Sequence, residues 1–126
     1  ADALAKGLAL EHGCAPAVSE EPSPDAEAVN LGRKLIGTAG GFSCTACHPV
    51  GDQPAQMQLH FGVVNLKHSR ERLRREHYLR WMLNPQRLQP SSPMPAYTDE
   101  DGRSALASIL GGDGERQFEA IWECLR

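Results

Sequence analysis

The chain has 126 residues, enough for one compact domain, and its formal net charge of −3 lacks the strong positive field that non-specific nucleic-acid binding requires. Hydrophobic residues make up 40% of the chain but aromatic residues only 6%, which is a small apolar volume for a domain of this length. No run of 18 or more apolar residues is present, so we expect no transmembrane segment. The first residues lack a basic stretch followed by an apolar one, so we expect a mature protein or a piece of a longer one.

The first 24 residues are predicted to form an N-terminal extension or strap. Leu4 and Leu8 lie one helical turn apart, which favours a short helix there. The segment 19–24 is polar and rich in proline, which is typical of a linker. We therefore assign the domain itself to residues 25–126.

The first helix of the domain is predicted to begin at Ser23 as cap, with Pro24 in the first helical position and acidic residues in the first turn. One face of this helix is apolar or small, and it carries Ala28, Gly32, Leu35 and Ile36. The glycines of 37–41 end the helix. The following segment, 44–64, is interrupted by prolines and glycines and is predicted to be mostly loop.

Three more helices are predicted further along the chain. Ser69 can cap one that runs to about Leu83, where the following Asn-Pro pair stops it. The proline-rich segment 86–97 is predicted to be an extended loop, and 98–110 a helix that begins with a capping sequence. The last helix begins near Asp113, and its apolar stripe comprises Phe118, Ile121, Trp122 and Leu125. Together these patterns predict an all-α domain of about four to five helices joined by long loops.

One motif carries specific chemistry. Cys44, Cys47 and His48 form a CxxCH sequence, the signature of covalent haem attachment. Two thiols at this spacing can add to the two vinyl groups on neighbouring edges of a porphyrin, which carries the adjacent histidine beneath the iron. We predict one haem c, bonded to both cysteines and ligated by His48. The bound group would also supply the apolar volume that the side chains lack.

Two other chemistries use a CxxC pair. A dithiol redox centre favours a βαβ context, and no strand pattern flanks the motif. A zinc site needs a second pair of Cys or His at suitable spacing, for which Cys14 and Cys124 are poorly placed. Haem attachment is therefore the favoured interpretation.

From residue 25 onward, the order of features resembles the class I c-type cytochrome family: a helix, the CxxCH motif, a long loop, a helix, a proline-flanked methionine and an aromatic-bearing last helix. The resemblance implies the cytochrome c fold around one haem, electron transfer rather than catalysis, redox proteins as partners, and a periplasmic or otherwise extracytoplasmic location. It also implies a close crossing of the first and last helices, with Gly32 opposite Trp122 or Phe118. The segments 78–85 and 117–122 are similar to haem domains at the C-termini of larger bacterial extracytoplasmic proteins.

Met94 is predicted to supply the second axial ligand, in the loop where the family carries its distal methionine. Prolines on both sides restrain it and remove backbone donors that would otherwise need partners. Met57 and Met82 are the other methionines, and His60, in an apolar setting, is the rival ligand. Thioether ligation favours ferrous iron and suits an electron carrier. An open or labile distal site would instead suit a haem sensor or a haem enzyme.

Positive charge is concentrated between 67 and 80, in Lys67, Arg70, Arg72, Arg74, Arg75 and Arg80. Its ordinary interpretation is a solvated helix face. The functional interpretation is a surface on which an acidic redox partner docks near the haem edge. One of these arginines, or Arg87, could instead hold a haem propionate.

Two cysteines lie outside the motif. In an oxidising compartment, Cys14 and Cys124 would be paired or buried. A disulfide between them would close a loop of roughly 110 residues and contribute up to about 4–5 kcal/mol in the chain-entropy model. Separate thiols are the alternative, and the sequence leaves both open.

Overall fold

The computed structural model describes residues 2–11, 13 and 23–126, and within them the backbone is helical, with isolated bridges but no strands. This part of the chain forms seven α-helices: α1 Asp2–Glu11, α2 Ala26–Ile36, α3 Cys44–Cys47, α4 Ser69–Arg72, α5 Arg75–Leu83, α6 Pro85–Leu88 and α7 Gly114–Cys124. It also has two 3-10 turns, Leu66–His68 and Leu110–Gly112. The predicted all-α class is confirmed for these residues. The helices outnumber the four to five expected because three of them are single turns.

None of the helices in the described part of the chain has both the length and the apolar character needed to cross a bilayer. The predicted N-terminal helix is confirmed as α1, whose leucines are exposed. Cys14 and most of the predicted linker at 19–24 lie outside the described residues. The N-terminal strap and the pairing of Cys14 with Cys124 therefore stay predictions, and Cys124 itself is a half-buried residue of α7.

Helices α2 and α7 cross closely at the centre of the fold. A Cβ atom added to Gly32 would collide with the carbonyl oxygen of Ala120 and lie 2.6 Å from Cβ of Cys124. The predicted close crossing is confirmed, but the atoms nearest to Gly32 belong to Ala120 and Cys124 rather than to Trp122 or Phe118. Those two aromatic side chains are 3% and 0% exposed and fill the core beside the crossing.

Helix α2 begins two residues later than predicted. Asp25, and not Ser23, caps it: the Asp25 carboxylate accepts a hydrogen bond of 3.1 Å from the backbone N–H of Glu27. The extended backbone of Asp25 lets its carboxylate reach that donor, so Pro24 stays outside the helix. The predicted apolar face is confirmed in Gly32, Leu35 and Ile36, which are buried.

The helix predicted from Ser69 to Leu83 is interrupted. Leu73 and Arg74 both have extended backbone, with ψ values of 146° and 145°, and they separate α4 from α5. Leu73, at the break, lines an apolar cleft. Its partly buried side chain packs against the core and so contributes apolar burial at the point where the helix is interrupted.

The helix predicted at 98–110 is absent, and the segment forms turns and two isolated bridges. The Asp99 carboxylate accepts hydrogen bonds from the backbone N–H groups of Asp101 and Arg103, at 3.1 and 2.7 Å. Gly102 takes a φ of +74° between them. Short acidic side chains that bind nearby backbone compete with helix formation, so the same residues that resemble a cap stabilise a turn.

Gln117 holds this segment against the last helix. Its side chain is 0% exposed, and its amide donates to the carbonyl oxygens of Leu106 and Ile109 at 3.1 and 2.7 Å. Its oxygen accepts a hydrogen bond of 2.6 Å from the Ser104 hydroxyl. Helix α7 thus satisfies buried backbone groups of a loop that has no regular structure of its own.

The predicted last helix is confirmed. Asp113 caps α7 through the N–H of Arg116, at 3.1 Å. The members of the predicted stripe are all buried: Phe118, Ile121, Trp122 and Leu125. The Tyr78 hydroxyl donates to the carbonyl oxygen of Phe118 at 3.0 Å, which joins α5 to α7 inside the core.

Candidate cofactor site

An apolar cleft opens between α3, α5 and α7. It is also bordered by the loop that carries Val64 and the loop that carries Met94. The cleft opens to solvent and has a volume of about 80 Å³ accessible to water-sized molecules. The lining side chains include Ile36, Cys44, His48, Val64, Leu66, Leu73, Tyr78, Trp81, Met82, Met94 and Ile121. A second lobe is bounded by Cys44, Cys47, His48, Leu59, Phe61, Val63, Met94 and Tyr97. An apolar concave surface with a few polar groups is typical of a site for a non-protein group.

The CxxC residues lie on a single helical turn at the mouth of this cleft. Ser43 precedes them with a left-handed backbone (φ 62°), a conformation that few residues other than glycine adopt. Backbone hydrogen bonds tie the approach to α2: the N–H of Phe42 donates to the carbonyl of Leu35 at 2.7 Å. The spacing of three puts Cys44 and Cys47 on one side of the turn, and both line the second lobe.

His48 is oriented by the backbone of the long loop that follows. Its Nδ1 atom lies 2.9 Å from the carbonyl oxygen of Val64. Because a carbonyl oxygen only accepts, this hydrogen bond requires the proton on Nδ1. The Nε2 lone pair is then left to bind a metal, an arrangement typical of ligating histidines. His48 borders both lobes of the cleft.

The thiol of Cys44 is poorly suited to exchange chemistry. Burial is the main cause that raises the pKa of Cys44 to about 11; a backbone hydrogen bond opposes this rise, and the negative charge that Cys47 can carry adds to it. Redox-active and metal-binding cysteines instead have a lowered pKa, since the thiolate is the reactive form. Among the residues that the structure describes, no three His, Cys, Asp or Glu side chains converge to hold a metal ion by themselves.

Met94 and its neighbour Ser92 are held by four hydrogen bonds that the sequence did not suggest. The indole Nε1–H of Trp81 donates to the Met94 sulfur at 3.0 Å. The side-chain amide of Gln86 donates to the carbonyl oxygens of Met94 and Ser92. The Ser92 hydroxyl accepts from the Met94 N–H at 3.3 Å. The flanking prolines, Pro93 and Pro95, are exposed, so the contacts that position the sulfur come from α5 and α6.

Gln86 belongs to a helix that the sequence analysis missed. The segment from 86 was predicted to be extended throughout, but Pro85–Leu88 forms the single turn α6. Asn84 caps it by accepting from the N–H of Arg87 at 3.1 Å. A capping residue followed by proline also marks a helix start. The pair Asn84 and Pro85 therefore fits both the end of α5 and the start of α6.

The rival ligands lie in different surroundings. Met57 is 54% exposed, and His60 is exposed as well. Neither is among the residues that line the two lobes of the cleft. Met82 does line the main lobe, from the buried face of α5. Met94 is the methionine that borders both lobes together with His48.

The basic residues between 67 and 80 do not form one continuous exposed surface, because two of them bind α7. Arg70 donates to the carbonyl oxygen of Trp122 at 3.1 Å and stacks over its ring at 4.8 Å. Arg75 pairs with Glu119. Both therefore bind α7. The remaining members of the set are exposed, and they are Lys67, Arg72, Arg74 and Arg80.

Arg72 is placed beside the apolar cleft. It lines a hollow with Asn65 and His68. That hollow shares Ser69 and Leu73 with the main lobe. An acidic group at the rim of the cleft would meet the guanidinium here. The exposed Arg87, by contrast, lies on α6 and lines neither lobe.

Comparisons with known proteins return no matching family model, curated protein or solved structure. The interpretation of the cleft therefore depends on its own residues. These residues are two thiols at the attachment spacing, one oriented imidazole and one clamped thioether, all on the walls of a single apolar space.

Proposed function

We propose that this chain carries one haem, bonded covalently through Cys44 and Cys47 and ligated by His48 and Met94, and that it transfers single electrons. The observation that carries the proposal is the convergence of these four side chains on one apolar cleft. The described residues fit such a group, because the cleft combines attachment points, ligand atoms and apolar walls. Bound haem iron with one nitrogen and one sulfur ligand supplies reversible one-electron chemistry.

The chain's own groups serve this role in distinct ways. Val64 keeps the His48 proton on Nδ1, so Nε2 stays available in both oxidation states. Trp81 and Gln86 hold the Met94 sulfur and its loop in one place. A ligand that moves little between oxidation states lowers the reorganisation needed for electron transfer.

We further propose that residues 25–126 form a domain of the class I c-type cytochrome family, located outside the cytoplasm. It works as a free carrier or as part of a larger redox protein, and it is not itself an enzyme. Its partners are redox proteins. An acidic partner suits the exposed cations Lys67, Arg72, Arg74 and Arg80, because Arg70 and Arg75 are already bound to α7.

The test is expression in a periplasm with a covalent haem attachment system. We expect mass spectrometry of the denatured wild-type protein to show one added haem, lost in the Cys44→Ala plus Cys47→Ala double variant. Cys124→Ala is the matched control, since it removes a cysteine outside the motif and should keep the haem. A wild-type protein recovered without covalent haem under these conditions would exclude the proposal.

Redox and ligand measurements separate electron transfer from the sensor or enzyme alternative. We expect the holoprotein to titrate as a reversible one-electron couple and to bind carbon monoxide slowly or not at all, because Met94 occupies the sixth position. Rapid, stoichiometric carbon monoxide binding to the reduced wild-type protein would favour the open-site alternative.

A further inference from the structure

We infer that Thr98 is a positioning residue for Met94: its hydroxyl anchors the end of the loop 89–97, the Met94 loop, to α5 and so sets how readily the sulfur leaves the cofactor. This inference rests on the proposed function. Its basis is the hydrogen bond of 2.8 Å that the Thr98 hydroxyl donates to the carbonyl oxygen of Leu83. Thr98 lines neither lobe of the cleft, so it acts on the sulfur through the loop.

The acceptor of this hydrogen bond is a carbonyl group at the end of a helix. Leu83 is the last residue of α5, where backbone carbonyls have no partner within the helix. Pro85, two positions later, has no backbone N–H to offer. The hydroxyl fifteen positions further along satisfies this acceptor instead. Its loss costs free energy, so the contact favours the loop position in which it forms.

The other branch of the Thr98 side chain packs against the start of the last helix. A Cβ atom added to Gly114, the first residue of α7, would collide with the Thr98 methyl carbon. The backbone of Thr98 also forms an isolated bridge with Ser104. Because threonine is branched at Cβ, one χ1 rotamer places the hydroxyl and the methyl group together. Thr98 is therefore fixed relative to both α5 and α7.

The chain between this anchor and the sulfur is short and restrained. Three residues separate Met94 from Thr98. The ring of Pro95 fixes its own φ, and the Tyr97 ring packs on Phe42 with centroids 5.1 Å apart. Four residues of chain span at most about 14 Å. The anchor therefore limits how far Met94 can move away from α5.

The Met94 loop is held at its other end as well, because the Gln86 amide donates to the Met94 carbonyl oxygen. A loop with two anchors opens when one of them is released. Loss of the Thr98 hydroxyl therefore raises the fraction of molecules in which the sixth position of the iron is open. An added ligand binds to that fraction, so its apparent affinity measures the strength of the anchor.

The experiment compares Thr98→Val, Thr98→Ser and Thr38→Val as holoproteins, with imidazole as the added ligand in an optical titration. Valine keeps the branched shape of threonine without the hydroxyl, whereas serine keeps the hydroxyl without the methyl group. Thr38 is exposed and lines neither lobe, so its variant controls for the same chemical change elsewhere. We expect Thr98→Val to bind imidazole about two- to tenfold more tightly than the wild type, the equivalent of one net hydrogen bond. The other two variants should stay close to the wild type.

A role in stability alone would lower the melting temperature of Thr98→Val and leave its imidazole affinity unchanged. That result would overturn the inference, and so would equal affinities in Thr98→Val and Thr98→Ser. If Thr98→Val does not fold, the reduced wild type provides the test. Its Thr98 hydroxyl proton should exchange slowly enough to be observed, and its Thr98 methyl group should show a nuclear Overhauser effect to the α protons of Gly114. Absence of either signal would contradict the inference.

The same samples separate this inference from the proposed function. A sulfur-to-iron absorption band that is present in the wild type and lost in Met94→Ala supports the proposed ligand, whatever the Thr98 variants show. A wild-type protein without covalent haem would instead refute the proposed function itself.

Discussion

The Nδ1 atom of His48 lies 2.9 Å from the backbone carbonyl oxygen of Val64, a residue sixteen positions further along the chain. This contact closes the long loop after the CxxCH motif and decides which ring nitrogen can bind a metal. Since a backbone carbonyl is present whatever the side chain, the orientation depends on the path of the loop and not on the identity of Val64.

His48→Ala should prevent formation of a stable holoprotein. The described residues offer no second CxxCH motif, and the alanine leaves the iron without its nitrogen ligand beside the attachment points. The measurement is the yield of soluble protein with a c-type absorption spectrum. Normal yield and a wild-type spectrum from His48→Ala would contradict the assignment of this histidine.

Met94→Ala should keep the haem covalently attached, because attachment depends on the cysteines. We expect the sulfur-to-iron absorption band to disappear, the potential to fall and exogenous ligands such as imidazole to bind readily. His60→Ala is the control, since the rival assignment predicts these changes there. An unchanged spectrum in Met94→Ala, together with a changed one in His60→Ala, would transfer the ligand role to the histidine.

Gln86→Ala should loosen the Met94 loop without removing the sulfur. The variant loses the hydrogen bonds to the carbonyls of Ser92 and Met94, each worth about 0.5–1.5 kcal/mol net. We expect imidazole to displace the methionine with an affinity roughly tenfold higher than in the wild type, as measured by optical titration. Gln89→Ala changes an exposed glutamine of the same segment and should leave the affinity unaltered. Equal affinities in both variants would show that Gln86 does not restrain the loop.

Gly32→Ala should destabilise the domain although alanine is the better helix former. The added methyl group meets the Ala120 carbonyl and the Cβ of Cys124, and overpacking of this kind costs about 1–3 kcal/mol. The control is Gly7→Ala in the exposed helix α1, where a Cβ meets nothing within 4 Å; it should be neutral or slightly stabilising. Melting temperatures of the holoproteins measure both effects, and equal melting temperatures would show that α2 and α7 can separate at little cost.

Local patterns in the sequence were sufficient for the elements that define the class of the fold. The apolar stripes of α2 and α7 repeat at helical spacing, so their buried faces followed from the sequence and are confirmed. The cysteine spacing depends only on neighbouring residues, and for this reason the candidate attachment site could be located from the sequence alone.

The helix predictions that proved wrong concern segments whose local sequence is compatible with two structures. The acidic residues at 98–101 can cap a helix or bind the backbone of a turn, and the burial of Gln117 beneath the segment favours the turn. Likewise, the pattern of 69–83 suits one helix, but the backbone is extended at Leu73, whose side chain lines the cleft. Tertiary packing outweighs helix propensity in both cases, because propensity differences are only tenths of a kcal/mol per residue.

The hydrogen bonds between residues far apart in the sequence were decided by the tertiary structure alone. Trp81 donates to a sulfur thirteen residues away, and Arg70 to the Trp122 carbonyl fifty-two residues away. Periodicity in a sequence identifies which face of a helix is buried. It does not determine which atom of another element meets that face, since this depends on the rotation and axial position of both elements after they pack. The sequence by itself therefore determined the attachment motif and the helical class, whereas only the packed chain decided how His48 and Met94 are held.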